Sequence, residues 1–410
     1  MLLKGLSSSV LALSILTVPA LSEELKLWTL THDAETARTA WKEIIKGFEL
    51  KHLDVTVKHE MRGTDEHKAA LRVSAASDKG PDIFFMWAGL GLGGEFVNAG
   101  LSKPLDDAYA KYGWDDRFIS SSLGFTKQYA GGRHGVPFTF HGEALYYNKA
   151  LFEKAGIEAL PATYEDLKAV AKKLKDAGIP AITFGGTVNW HVMRLMDVIL
   201  EAQCGPEKHD ALKGMKADWA SEACATASFA DLADWSQNYI LSPFMGIDQS
   251  QSFNLFNANR AAMMLEGDWL VDQIEEAGRV DDFGLFAFPT GYDRLYGFAE
   301  NLYVSSRSEV PDTAAAFLNY FSSDEVQQKY YSSFSSSSVN QHVTYANQNV
   351  IDKKWSSIFG AYGETFVNGD QAFPLDVTTE YFRLINEVAS GHLDAPEAAK
   401  AMQTFIDNRG

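Results

Sequence analysis

Positive charge, cysteine and long apolar runs are what this chain is short of. Lys and Arg number 36 against 54 Asp and Glu, a formal net charge of −18. Such a balance repels phosphate backbones and anionic lipid, so nucleic acid and membrane surfaces are not expected partners. Cys204 and Cys224 are the only cysteines, too few for a paired C-x-x-C site. Neither G-x-S-x-G nor H-E-x-x-H occurs, which leaves the common hydrolase and zinc-protease readings without a motif. No stretch reaches eighteen uninterrupted apolar residues, so no membrane-spanning helix is expected.

The N-terminus has Lys4, an apolar stretch from Val10 to Val18 and the small residues PALS before Glu23. This pattern reads as a cleavable export signal over residues 1–22. No Cys near the cut could carry a lipid anchor, and the expected location is the periplasm. In an oxidising compartment an even pair of cysteines reads as a disulfide between Cys204 and Cys224, the alternative being two separate buried thiols. The remaining length exceeds what one hydrophobic core usually fills, which predicts two lobes.

LKLWTL, DVTVKHEM and DIFFMW read as strands separated by helices, the first helix carrying Trp41, Ile44, Ile45 and Phe48. Strand and helix in alternation imply a largely parallel sheet, whose ligands lie beyond the carboxyl ends of the strands. The loops after Trp28, Met61 and Met86 should therefore meet at one cleft. A second α/β unit begins past Gly135 with GVPFTFHGEALYYN. It continues through a helix with Thr163 as N-cap, Asp166 three residues on and Gly178 then Pro180 as its stop. AITFGG, AAMMLEGDW, DFGLFAFP and NLYVSS follow as strand-like runs.

Gly89, Gly91 and Gly94 have the spacing of a dinucleotide loop. They follow the third strand rather than the first, and Gly100 halts the next helix within two turns, so they read instead as a tight backbone path beside a cleft. No cofactor or metal is expected. The paired phenols Tyr330 and Tyr331 suggest a ferric site less well than helical core packing. Nine Trp and sixteen Tyr are the positive signal. A pyranose has apolar C–H faces and a hydroxyl rim, which suits flat aromatic rings with carboxylates and amides around them.

Taken in order, GPDIFFMWA with GGEFVNAGLSKPL, GVPFTFHGEALYYNKALFEKAGI, PATYEDL, FNANRAAMMLEGDW with DFGLFAFP, and ASGHLDAPEA carry a likeness. The chain resembles the bacterial extracellular solute-binding proteins of ABC importers, in the carbohydrate branch related to maltose-binding protein. That resemblance implies the periplasmic binding protein fold, two α/β lobes joined by crossing strands with ligand in the cleft between them. The expected lobes are 23–141 with 302–343, and 142–301 with 344–410. It also implies ligand contacts from Trp87, Glu143 and Trp269, the alternatives being core indoles and a surface carboxylate. His32 and Asp33 match a polar contact approximately, and Trp190 an aromatic one. His141, Asp268, Glu300 and Asn301 complete the candidates. AGLGLGG after Trp87 lacks the charged residues of the maltose-binding branch, and the serine run Ser332 to Ser338 reads as a surface or cleft-edge loop.

The resulting expectation is a non-catalytic monomeric receptor that carries a mono- to oligosaccharide, disaccharide-sized, to the permease subunits of an ABC transporter. The alternatives are a carbohydrate-active enzyme using Glu143 and another cleft acid, or the same fold holding a polyamine, ferric iron or an opine-like conjugate.

Overall fold

The computed structural model describes residues 22–32, 34–77, 79–345, 348–362 and 364–409; the expected export signal and Asp33 lie outside them. Among the described residues nine strands form the sheet: β1 Glu23–Leu30, β2 Val55–Arg62, β3 Ile83–Trp87, β4 Val136–Asn148, β5 Ile182–Thr183, β6 Met263–Gly267, β7 Phe283–Phe286, β8 Arg294–Val304 and β9 Glu364–Phe366. Their order is β2-β1-β3-β8-β4-β6-β5, with β7 against β4 and β9 against β8. β1 runs parallel to β2 and β3, as helical crossovers require. The antiparallel pairings are all made by β4 or β8.

Those two strands join the halves of the molecule. Val136 to Gly142 of β4 pair with β8, and from Glu143 the same strand pairs with β6. At the handover Gly142 lies opposite Gly297. Both strands are buried almost throughout, which explains why they read as continuous apolar runs rather than alternating ones.

A principal core lies on each side of the crossing strands, with a smaller one beside each. The Glu35–Lys51 helix buries Trp41, Ile44 and Phe48 against β1 and β3, with Phe317 and Phe321 from the Pro311–Phe321 helix. Beyond the crossing, the helices Tyr164–Asp176, Asn189–Lys213, Ala223–Asn238 and Leu375–Ala389 enclose the second core. The Tyr164–Asp176 helix begins with the capping box read from the sequence: Asp166 N–H donates to Thr163 Oγ1 and Thr163 N–H to Asp166 Oδ2, both at 3.1 Å. No helix among the described residues is long and apolar enough to cross a membrane.

The glycine loop has a more specific reason than a clear path. Gly89 has φ +112, and a Cβ there would lie 2.5 Å from Gln371 Cα; one at Gly91 would lie 2.5 Å from Asp370 O. Two pieces of backbone touch here, leaving no room for a side chain.

Cys204 and Cys224 are bonded, 20 positions apart, tying the Asn189–Lys213 helix just before its break at Gly205 to the start of Ala223–Asn238. Cross-linking a loop of this length restricts the unfolded chain. Replacing both cysteines by serine is expected to lower stability by about 3 kcal/mol, read from urea denaturation.

Candidate ligand-binding cleft

The loops after β1, β2 and β3 converge on one cleft of about 720 Å³. Thr29 to His32 line it from the first, Thr64 and Lys68 from the Thr64–Ala75 helix after the second, and Trp87 from the third. Lys68 Nζ stands 5.0 Å from the centre of the Trp87 ring. Trp190 and Arg194 of the Asn189–Lys213 helix, with Asp268, Trp269 and Asp272, form the opposite wall. Phe138 and His141 of β4 and Phe298 and Glu300 of β8 form the floor.

Arg194 organises the far wall. Its guanidinium carbon is 4.2 Å from the Trp190 ring and 4.9 Å from that of Trp269. Below, Nη1 donates to Glu266 Oε2 at 2.6 Å and Nε is ion-paired with Glu143 Oε2 at 3.2 Å. A desolvated cation beside aromatic faces is attracted to both, at roughly 2 kcal/mol or more per contact. His191 completes the set: Gly185 N–H donates to its Nδ1, so the proton sits on Nε2 and faces Glu266 Oε1 at 2.7 Å. Burial pushes the Glu143 carboxyl up to about 7 against the pull of Arg194. Burial would also raise Glu266, but Arg194 and then His191 overcome it and hold that group at about 2.

His141 joins the crossing segments. Its Nδ1 lies 2.7 Å from Asp268 Oδ1 and its Nε2 3.3 Å from Glu300 Oε2. Asp268 also accepts from Ser335 Oγ at 2.7 Å and Ser336 N–H at 2.9 Å. β4, β8 and the serine run are thus connected around one imidazole. Burial opposes its charge, yet Asp268 and then Glu300 outweigh that and raise the His141 pKa to about 10.

Of the residues singled out from the sequence, Trp87, Trp190, Trp269, His32, His141, Asp268 and Glu300 line the cleft. Trp269 lies edge-on to His141, ring centres 5.2 Å apart, with its ring over Gly267. Glu143 and Asn301 are fully buried and outside the lining, because Glu143 is covered by Arg194 and Asn301 turns toward Tyr303 behind the floor. The serine run lies along the cleft rather than wholly on the surface: Ser332 is exposed, Ser335, Ser336 and Ser338 are buried, and Ser332 to Ser336 line the cleft. Arg194, Lys68, Asp272 and the segment Asn368 to Gln371 were not singled out. A signal for Arg194 existed. From Val192 to Glu201 the helix is buried all round, so each charge on it needs a buried partner.

Two outcomes follow from these pairings. Arg194→Ala removes the cation from two buried carboxylates and is expected to cost about 3–5 kcal/mol in urea denaturation. His141 has a folded pKa near 10 against an ordinary 6.5, so its contribution is complete below pH 6.5 and is lost as pH rises to about 10. The melting temperature should fall across that range, and less steeply in His141→Gln.

Residues 33–328 match the family described as bacterial extracellular solute-binding protein. A Brucella abortus (strain 2308) protein named only as a binding protein is 26% identical over 338 residues, 80% of either chain. The maltotriose-binding protein of Pyrococcus abyssi (strain GE5 / Orsay) is 24% identical over 293 residues, 66% of this chain and 56% of that one. Among solved structures, a chitin oligosaccharide binding protein superposes with TM-score 0.83 over 94% of this chain and 98% of its own, at 22% identity. That last likeness is one of fold. With the family match spanning well over half its length, the chain belongs to the bacterial extracellular solute-binding protein family.

Proposed function

We propose that this protein is the sugar receptor of an ABC importer: it closes on a mono- to oligosaccharide of about disaccharide size and presents it to the permease. The observation that carries this reading is three indoles, Trp87, Trp190 and Trp269, on opposite walls of one cleft, two of them fixed by Arg194. Two rings that each remove roughly 100 Å² of apolar sugar surface from water supply about 5 kcal/mol. A dissociation constant of about 1 μM needs about 8 kcal/mol, so the hydroxyl rim must be hydrogen-bonded as well. A volume of about 720 Å³ suits a small ligand.

The charge of the lining supports a neutral glycan over an anionic one. Asp268, Asp272, Glu275, Glu300, Asp352 and Asp370 face Lys68, Arg194 and His141 across it. Asp272 has its pKa pushed up to about 7 by burial and then by Asp352 and Glu275, and a bound anion would add to that repulsion. In this reading the lobes 23–141 with 302–343 and 142–301 with 344–410 bend about the crossing strands. Sugar must bind the closed arrangement more tightly than the open one for closure to report its presence. The receptor works in the periplasm as a monomer and leaves its sugar chemically unchanged.

A thermal-shift screen with maltotriose, N,N′-diacetylchitobiose, xylobiose, galactose, putrescine and ferric citrate tests this. A sugar present at 100 times its dissociation constant is expected to stabilise by about 2.7 kcal/mol. Recovery of altered sugar, or a shift with putrescine or ferric citrate alone, refutes the reading. Trp269→Ala is expected to weaken sugar binding at least tenfold in calorimetry and, because its ring also lies against Arg194, to lower ligand-free stability by about 2 kcal/mol.

A further inference from the structure

Three neighbouring side chains on the cleft wall hold oxygens that nothing in the protein satisfies. Asn368, Asp370 and Gln371 all line the cleft. Asn368 Oδ1, Asp370 Oδ1 and Gln371 Oε1 are shielded from solvent and accept no hydrogen bond. Asn368 is 7% exposed and Gln371 2%. Among the described residues no other stretch of four carries more than one such atom. Buried acceptors are normally met, so a concentration of unmet ones calls for a donor from elsewhere.

The segment cannot turn to satisfy itself. Gly369 N–H donates to Asp197 Oδ2 at 2.7 Å, and Asp197 is held in turn by Lys213, Tyr296 and Tyr381. Asn368 Nδ2 is spent on Glu143 Oε1 and Gln371 Nε2 on the Ala299 carbonyl, both at 3.3 Å, which fixes each amide with its oxygen unmet. The backbone of this segment is also one half of the close contact with the glycine loop, where Leu90 N–H donates to Gln371 O at 2.8 Å.

We propose that Asn368, Asp370 and Gln371 form an acceptor subsite that reads adjacent hydroxyl donors of the sugar. This deepens the sugar reading and rests on it. Asp370 is consistent with such a role: burial pushes its carboxyl up to about 6, with Asp197 adding to that and Lys68, Lys213 and Arg194 opposing it.

Single variants Asp370→Asn, Gln371→Met and Asn368→Leu test it with two readouts. In calorimetry with whichever of maltotriose, N,N′-diacetylchitobiose, xylobiose or galactose binds the unaltered protein, each variant is expected to bind at least tenfold more weakly. Without sugar, Asp370→Asn and Gln371→Met should melt at the same or a higher temperature. The gain of Asp370→Asn should be present at pH 8 and absent at pH 4, because a carboxyl raised to about 6 costs stability only where it is ionised. Unchanged sugar affinity in all three variants, or a lower ligand-free melting temperature in Asp370→Asn and Gln371→Met, overturns the subsite. Failure of every sugar to shift the unaltered protein instead refutes the sugar reading, and the ligand-free readout still decides whether these oxygens are unmet.

Discussion

A guanidinium removed from water has to find carboxylates, and at Arg194 it finds two on different strands, Glu143 of β4 and Glu266 of β6. The cost of burying three charges is recovered only if their geometry is held closely. That requirement fixes the rotamer of Arg194, and through it the two indoles that flank its plane. The aromatic wall is therefore rigid because of what lies beneath it. The same helix carries Asp197 and Glu201, which meet Lys213 and Arg294 in the same manner. Its charges act as pegs that set β4, β6, β8 and the Asn368 to Gln371 segment in fixed relation.

His141 plays a comparable part at the crossing, in a different chemical style. Each ring nitrogen of one imidazolium faces a carboxylate, and one of these carboxylates takes the serine run as well. A solute above this floor would meet groups that already have partners, whereas the oxygens of Asn368 and Gln371 accept no hydrogen bond within the protein. The cleft thus combines a finished surface with an unfinished one.

Features set by local pattern were legible in the sequence. The capping box at Thr163, the helix stripe through Trp41, Ile44 and Phe48, and the convergence of the loops after the first three strands depend on spacing or on sheet topology alone. The placement of Trp87 and Trp269 beside the cleft came with strand ends and with family likeness. A charge on the buried run of Arg194 signals that it has partners, but which partners was not legible, since they are carboxylates about 50 positions before it and about 70 after it. Glu143 shows the converse: an acid next to a strand run resembles a cleft residue until the helix that covers it is known. The glycine loop was recognised as tight, but the backbone it touches lies nearly 300 residues later.

The order of strands also bears on how the chain is made. β3 is flanked by β1 on one side and by β8 on the other, and β8 begins about 200 residues after β3 ends. At roughly 5–20 residues per second of synthesis, that edge stays unpaired for roughly 10–40 s. The first lobe therefore cannot complete its sheet before β8 has been made, and during that interval the open edge of β3 has to be kept from self-association.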